Sequence, residues 1–571
     1  MKRIDKNKLP NPYFAREKTY LLNGEWEFEM NHDDSIPDHF SSNIIVPFAP
    51  ETKDSGIEKT ITKNDILHYH LELNYDEDII GKKIRLVFQA VDQVSDLYFN
   101  RIHKLHHEGG YLPFSLVIEE AKKGDTIDLT VKDDTDSTIY PKGKQTLHPH
   151  GMFYHATSGI WGDVYLEILP KGGHIDDFFV QSDFDNKKIY LKNIHLSNKE
   201  DTLVEGYLLY EGKTVQTLSF DSSFDLKECF HPWSTFEPSL YEIELHYKDD
   251  IVTTSFGVRK FEIKNYKDIK LFYLNNHAIY LNGLLDQGYH SPTGGMTPPS
   301  EDLVLKDLQY VKDCGFNFLR KHIKVESPRW YYLCDKLGIV VMQDFVSTGD
   351  RYNTFRLAVL PTIGFLKGKK NANANRSELN SQKFFEQEMP IFVDHFKNYT
   401  SVCLWCLFNE GWGQFDATRL TEKLRSLDPI RPIDSTSGWF DEGAGDIDSK
   451  HVYFRKPRLK NKKDRVLFLS EFGGFALKVP GHVFTRKSFG YKILSSQEEL
   501  TRWLEKTYLK QIVPLIEKQG LCGTVYTQLS DVEDEINGLV TYDRAVYKVP
   551  ASQMFSINQK VYSAFEKFTK E

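Results

Sequence analysis

From residue 263 onward the chain alternates short apolar runs with amphipathic stretches at helical spacing, and this leaves few folds open. Such repeats read as βα units, whose parallel strands are buried on both faces and so lose the alternation of a half-exposed sheet. Strands are expected at 279–285, 316–320, 339–342, 402–408, 431–434, 451–453, 466–469 and 523–527. Helical patterns at 302–314, 384–398, 417–427 and 497–518 lie between several of them. Eight strands within about 300 residues match a (β/α)8 TIM barrel over 263–571.

The preceding residues have a different character. Short strands such as 84–88 and 127–131, divided by Gly, Asp and Asn turns, fill residues 1–170 with no long helical pattern, so a β-sandwich is expected there. Residues 171–262 carry further strand patterns at 189–196, 203–210 and 240–247, in a length that suits an immunoglobulin-like β-sandwich. A chain of 571 residues exceeds one core, and this multidomain division answers that. The segment 348–382 is too long for an ordinary βα loop, and long loops at a barrel mouth are often functional.

In a TIM barrel the chemistry sits at the C-terminal ends of the strands. Two of those ends carry a carboxylate directly after an apolar run: Asn409-Glu410-Gly411-Trp412 follows the fourth strand, and Ser470-Glu471-Phe472-Gly473 the seventh. A carboxylate there is costly unless paired, solvated or used, and the bland reading is a salt bridge at the rim. Two of them on facing strands suit glycoside hydrolysis, where one carboxylic acid protonates the leaving oxygen and one carboxylate attacks the anomeric carbon. A separation of about 5–5.5 Å would imply retention. Asn409 is placed to hydrogen-bond the sugar 2-hydroxyl. The pair by itself leaves open which glutamate does which task.

Composition narrows the partners. The net charge of −9 disfavours nucleic acid. The short basic runs 367–370 and 460–463 read as solvated loops. The N-terminal stretch has no apolar run of secretory length and no segment is long enough to span a bilayer, so a cytoplasmic protein is expected. Six scattered cysteines agree, since Cys403 and Cys406, though spaced CxxC, lie within an apolar strand and read as structural thiols. Aromatic residues make up 13%, which serves sandwich cores and sugar-stacking surfaces alike.

Motifs along nearly the whole chain resemble glycoside hydrolase family 2. They are Leu22-Asn23-Gly24-Glu25-Trp26, Val46-Pro47-Phe48, Gly109-Gly110-Tyr111-Leu112-Pro113-Phe114 and Thr157-Ser158-Gly159-Ile160-Trp161. Phe256-Gly257-Val258-Arg259, Leu281-Asn282-Gly283, Gly315-Phe316-Asn317 and Cys334-Asp335-Lys336-Leu337-Gly338 continue them in order. The resemblance implies an N-terminal jelly-roll sugar-binding-like domain, an immunoglobulin-like module and the catalytic barrel. It implies Glu410 as acid/base and Glu471 as nucleophile, and places Arg320, His322 and Tyr453 about the sugar. Trp412 and Trp439 are candidate stacking platforms.

The chain also departs from the family's pattern. Asp286-Gln287 after the first strand stands where better-known members carry a His near Gln287, the Arg320-to-His322 interval is one residue short, and Gln528 after the eighth strand stands where many place a Trp. These positions shape the subsite around the outer hydroxyls. The family's β-glucuronidases hold the sugar carboxylate with an Asn-x-Lys element after the eighth strand. Here the matching stretch Glu535-Ile536-Asn537 has no cation, so a neutral sugar is expected, β-galactoside first by analogy, with β-glucoside, β-mannoside and α-arabinopyranoside open.

The substrate would be a small molecule or oligosaccharide, and a homo-oligomer is compatible with the sequence. No cofactor or metal is required. His148, His150 and His155 lack an acidic or Cys partner for zinc and are expected to pack against or overhang the barrel mouth. Asp531, Glu533, Asp534 and Glu535 could hold a cation, but a solvated rim is favoured. The rival function is a carbohydrate-binding protein on an inactive barrel, against which the retention of both carboxylates argues. Transglycosylation would use the same intermediate.

Overall fold

The computed structural model describes residues 2–5, 8–198, 204–219, 223–350, 357, 376–485 and 487–570. Most of the 348–382 segment and the basic run 367–370 lie outside the described residues.

The first sandwich packs a five-stranded sheet on a six-stranded one, all within Lys2–Leu169. Alternation does the folding: in Gly24–Asn31 the side chains of Trp26 and Phe28 point inward and their neighbours outward. They meet Tyr69, Leu86, Phe88, Leu129 and Val131 in a closed core. The second sandwich, Ile175–Phe256, has sheets of three and four strands around Phe178, Ile189, Leu208, Tyr241 and Ile243. A hairpin, Phe261–Tyr266 with Ile269–Leu274, leads into the barrel.

The barrel strands are β1 (Leu281–Asp286), β2 (Phe318–Lys321), β3 (Val340–Asp344), β4 (Val402–Cys406), β5 (Ile433–Asp434), β6 (Ile447–Val452), β7 (Val466–Gly473) and β8 (Gly523–Thr527). They form one parallel sheet in the order β5-β4-β3-β2-β1-β8-β7-β6. The seam between β5 and β6 is bridged by the Asp446 N–H donating to the Ile433 carbonyl at 2.8 Å. Every residue of β1, β2, β3, β4, β7 and β8 is buried, which is why these runs are mostly apolar, with polar and charged residues such as Asn282, Arg320, Lys321 and Glu471 held inside among partners. Cys403 and Cys406 are buried and unpaired, as the apolar strand context suggests.

Two elements differ from expectation. A helix over Pro328–Leu337, not signalled by the apolar spacing, is set by Pro328 in its first turn and by Gly338 after it, in the left-handed conformation at φ +67°. The helix expected over 497–518 is broken into Gln497–Thr507, a wider π-turn at Tyr508–Ile512, and Val513–Gln519. Pro514 lies at the start of the last piece; it has no N–H to offer the preceding turn, and the ladder relaxes there.

The three parts are pinned by buried polar contacts. Arg16 donates to Glu167 of the first sandwich at 2.8 Å and to Asp250 of the second at 2.9 Å, all three nearly inaccessible. Tyr13 donates to Asp335 of the barrel at 2.7 Å and stacks on Tyr399 at 4.1 Å, while the Trp233 indole donates to the Asp335 carbonyl at 2.7 Å. The loop before the last strand of the first sandwich crosses to the barrel mouth, where the Gly143 N–H donates to the Ser347 carbonyl at 2.9 Å. Arg16→Ala would leave buried Asp250 without its cation and Glu167 with only Arg85, 3.9 Å away, and is expected to cost about 3–5 kcal/mol. Denaturant unfolding measures this, and an unchanged midpoint would contradict the role given to Arg16.

Candidate active site

β4 carries the chain to Asn409 and Glu410 at the barrel mouth. Glu410 takes a left-handed backbone at φ +52° and Gly411 another at φ +75°. A Cβ on Gly411 would fall 2.3 Å from the Phe440 ring, so glycine is required in this turn. The Glu410 N–H donates to the Ser437 carbonyl at 2.9 Å, which ties the turn to the loop after β5. Glu471 lies within β7, which continues through Gly473. The β6–β7 register shifts between Lys450 and His451, an irregularity that re-aims the side chains next to Glu471.

The two carboxylates converge. One oxygen of Glu410, one of Glu471 and a ring nitrogen of His451 all lie within 4.8 Å of one another. His451 Nδ1 is 2.7 Å from Glu410 Oε1, and its Nε2 is 3.5 Å from Glu471 Oε1 and 3.0 Å from Ser437 Oγ. Beneath them sits Arg320, with no exposed surface. Its guanidinium donates to Glu471 Oε1 at 3.0 Å, to Asn409 Oδ1 at 2.9 Å, and through Nε and Nη2 to Asp344 at 3.0 and 2.9 Å. His322 Nδ1 lies 2.8 Å from Asp344 Oδ2, and the Tyr453 hydroxyl donates to Glu471.

These contacts set the charge state. Burial alone would raise the Glu471 carboxyl, but the charges of His451 and Arg320 prevail and hold it at about 2. Burial, with Lys144 and Arg320 nearby, keeps His322 well below the usual imidazole range, so it is neutral near pH 7. Burial beside Glu471 pushes the Tyr453 phenol well up, keeping it a donor.

Of the residues singled out in the sequence, Asn409, His322, Gln287, Tyr453 and Trp412 line one pocket with Glu410 and Glu471. Gln287 is 2% exposed, and neither of its amide atoms has a hydrogen-bond partner among the described residues. Four candidates lie elsewhere. Arg320 is under the pocket, and its donors go to protein groups rather than outward. Asp286 turns aside into a buried ion cluster, accepting from Lys321 Nζ at 2.6 Å. Trp439 stands behind the acid/base candidate, its indole donating to the Glu410 carbonyl at 3.1 Å and its ring edge-on to His451. Gln528 is fully buried and donates to Asn537 Oδ1 at 2.9 Å.

Other members were not singled out in the sequence. Asp344 is a carboxylate ending an apolar strand, the same signal that marked Glu410 and Glu471. His451 stands two residues before Tyr453 at the end of a strand, so alternation points both the same way. Lys144 and Phe153 reach the pocket from the first sandwich, and Tyr491 from the loop after β7, which strand-end logic does not find.

The acidic run is not a solvated rim. Asp531, Glu533, Asp534 and Glu535 are all buried; the first sandwich reaches Glu533, Asp534 and Glu535, while Asp531 is enclosed by the barrel's own segments. His155 lies 2.9 Å from Glu533, Tyr154 donates to Glu535, and Lys548 donates to Asp531 at 2.7 Å. His148 and His150 flank this seam, and among the described residues the one group with metal-ligand spacing is Glu410, His451 and Glu471. There the guanidinium of Arg320 already supplies a cation to Glu471. A larger cleft of about 700 Å³, between the first sandwich and the barrel, shares no residue with this pocket.

Comparison with known proteins agrees with this architecture. The β-galactosidase of Streptococcus thermophilus is 28% identical over 302 residues, covering 48% of this chain and 27% of that protein. The β-galactosidase of Staphylococcus xylosus is 25% identical over 466 residues, covering 74% and 42%. A putative β-glucuronidase of Formosa agariphila is 27% identical over 384 residues, covering 63% and 42%. The chain thus spans less than half the length of these curated relatives. Among solved structures, the β-glucuronidase of an uncultured Clostridium sp. superposes with a TM-score of 0.72 at 17% identity, covering 99% of both chains. The β-galacturonidase of Eisenbergiella tayi bound to galacturonate gives 0.68 at 16% identity, covering 96% of this chain and 97% of that one. At such identities these two matches speak for the fold alone. The family description "Glycosyl hydrolases family 2, TIM barrel domain" matches residues 263–562, more than half of the sequence, and the chain belongs to glycoside hydrolase family 2.

Proposed function

We propose that the chain is a retaining exo-β-glycosidase that hydrolyses O-glycosidic bonds by double displacement. The observation that carries this reading is the approach of Glu410 and Glu471 within 4.8 Å. Retaining enzymes hold their carboxyl groups about 5–5.5 Å apart, whereas inverting ones leave about 6.5–9.5 Å for a water.

In this reading Glu471, held ionised by Arg320, attacks the anomeric carbon while Glu410 gives its proton to the leaving oxygen. A covalent glycosyl-enzyme results. Glu410, now a carboxylate, takes a proton from water, whose oxygen attacks the same carbon and releases Glu471. Asn409, fixed by Arg320, is turned toward the 2-hydroxyl of the sugar. With another sugar in place of water the same intermediate would give transglycosylation.

A neutral sugar, β-galactoside first, is the substrate we propose, with β-glucoside, β-mannoside and β-glucuronide as the alternatives to be tested. Two features support neutrality. No cation stands in 535–537, and the one lysine of the pocket, Lys144, faces Glu535. Burial raises the Glu535 carboxyl and the charge of Lys144 pulls it back. A wall with one cation and one carboxylate can donate to and accept from hydroxyls, whereas a sugar carboxylate would meet Glu535. The unpaired cysteines fit a reducing cytoplasm, the compartment we propose.

Glu471→Ala is expected to lower kcat on aryl β-glycosides by about 10⁴-fold or more, and unchanged turnover would contradict the mechanism. Glu410→Ala should lose about 10²–10⁴-fold on substrates with poor leaving groups but far less on activated aryl glycosides. Equal losses on both would void its role. A panel of p-nitrophenyl glycosides identifies the sugar, and strong glucuronide turnover would overturn the neutral assignment.

Arg320→Met removes one of the charges that depress the Glu471 carboxyl. The acid limb of kcat/KM is expected to rise by about one to three pH units. In the unaltered protein the depressed carboxyl stabilises the fold above about pH 4.3, its unfolded value, and that contribution is lost as pH falls toward about 2. An acid limb unmoved in Arg320→Met would refute the coupling.

A further inference from the structure

Tyr453 and Tyr491 stack at 3.7 Å with 9° between their planes and form one wall of the candidate active site. The same two rings line a second cleft, of about 330 Å³, at the barrel rim between the ends of β6 and β7 and the helix Gln497–Thr507. That volume is of the order that small-molecule sites occupy, about 300–1,000 Å³.

The lining is chemically one-sided. Arg455, Lys456 and Lys492 bring three cations to it, and no Asp or Glu lines it. Arg455 and Lys456 make no ion pair or side-chain hydrogen bond among the described residues, and Lys492 holds its ammonium over the Trp503 ring, 3.1 Å from the centroid. A recess lined by charges of one sign focuses its potential and favours a ligand of the other sign. Thr507 also lines it, 5% exposed, with a hydroxyl that has no hydrogen-bond partner among the described residues. Phe454, 66% exposed, packs edge-on to Tyr491 at 5.1 Å and offers a face beside the cations.

We propose that this cleft is an aglycone subsite that takes an anionic group, a carboxylate or sulfate ester, on the residue attached to the cleaved sugar. The proposal rests on the glycosidase reading above and adds to it the class of leaving residue. The Tyr453–Tyr491 pair separates the two recesses by one layer of rings, and the proposal has the leaving residue pass around the edge of that pair into the second.

The test uses two aryl glycosides of the sugar that the panel selects, one with a para-(carboxymethyl)phenyl aglycone and one with its carboxamide. Their phenols leave almost equally well, so the ratio of their kcat/KM values reports recognition of charge. The protein is expected to favour the carboxylate by about tenfold at low salt, with the preference shrinking as salt screens the cations. In a variant carrying Arg455→Gln, Lys456→Gln and Lys492→Gln the ratio should fall close to one. Because the ratio is taken within each protein, a general loss of folded enzyme does not alter it. A ratio near one without salt dependence in the unaltered protein, or a preference that survives in the variant, would overturn the proposal. Failure to hydrolyse either glycoside would instead overturn the glycosidase reading, and the subsite with it.

Discussion

A single guanidinium without exposed surface, that of Arg320, is the constraint on which the candidate site depends. It enters on β2, is clamped by Asp344 from β3, and reaches Asn409 after β4 and Glu471 in β7. Four strands of the barrel are thus referred to one planar, rigid group. A buried cation of this kind is tolerated only because carboxylates surround it, and removing any one partner would leave a charge stranded. The same pairing that makes the arrangement stable keeps Glu471 ionised at about 2, as a nucleophile must be. His451 completes the set by lying between the two glutamates, 2.7 Å from Glu410 and 3.5 Å from Glu471.

The sandwiches add more than bulk. The first lays Lys144 and Phe153 into the pocket and reaches the acidic run after β8, so the barrel's own loops form only part of the wall. In the proposed reading, chemistry and selectivity therefore sit on different parts of the chain. The pair that would break the bond stands on two strands fixed by Arg320. The rest of the pocket lining includes Gln287, Lys144 and Phe153 from the first sandwich, and Tyr491 from the loop after β7.

Strand positions in the barrel were legible in the sequence where burial on both faces leaves a largely apolar run, as in Val402–Cys406 and at the start of Val466–Gly473. Glu410 and Glu471 were legible for the complementary reason, a charge where such a run ends. Asp344 carries the same mark after β3, and His451 shares its strand face with Tyr453. Asp286 bears the mark too but spends its charge on Lys321, a contact set by the side chain on the neighbouring strand that no single run of sequence displays. Trp439 and Trp412 look alike as exposed-end aromatics, and only the fold separates the one that backs Glu410 from the one in the pocket. Lys144 was beyond reach, since it is some 266 positions from Glu410 and arrives by domain packing. The acidic run after β8 was misread as solvated for the same reason, its cover being in part another domain.

The central claim is that Glu471 attacks carbon and Glu410 serves as acid and then base. The anomeric configuration of the first sugar released from a β-aryl glycoside, followed by proton NMR before mutarotation, tests it most directly. Two inversions at one carbon predict that the β-anomer appears first and the α-anomer only later, by equilibration. An α-anomer formed first would mean a single displacement by water, and would contradict the roles given to both carboxylates.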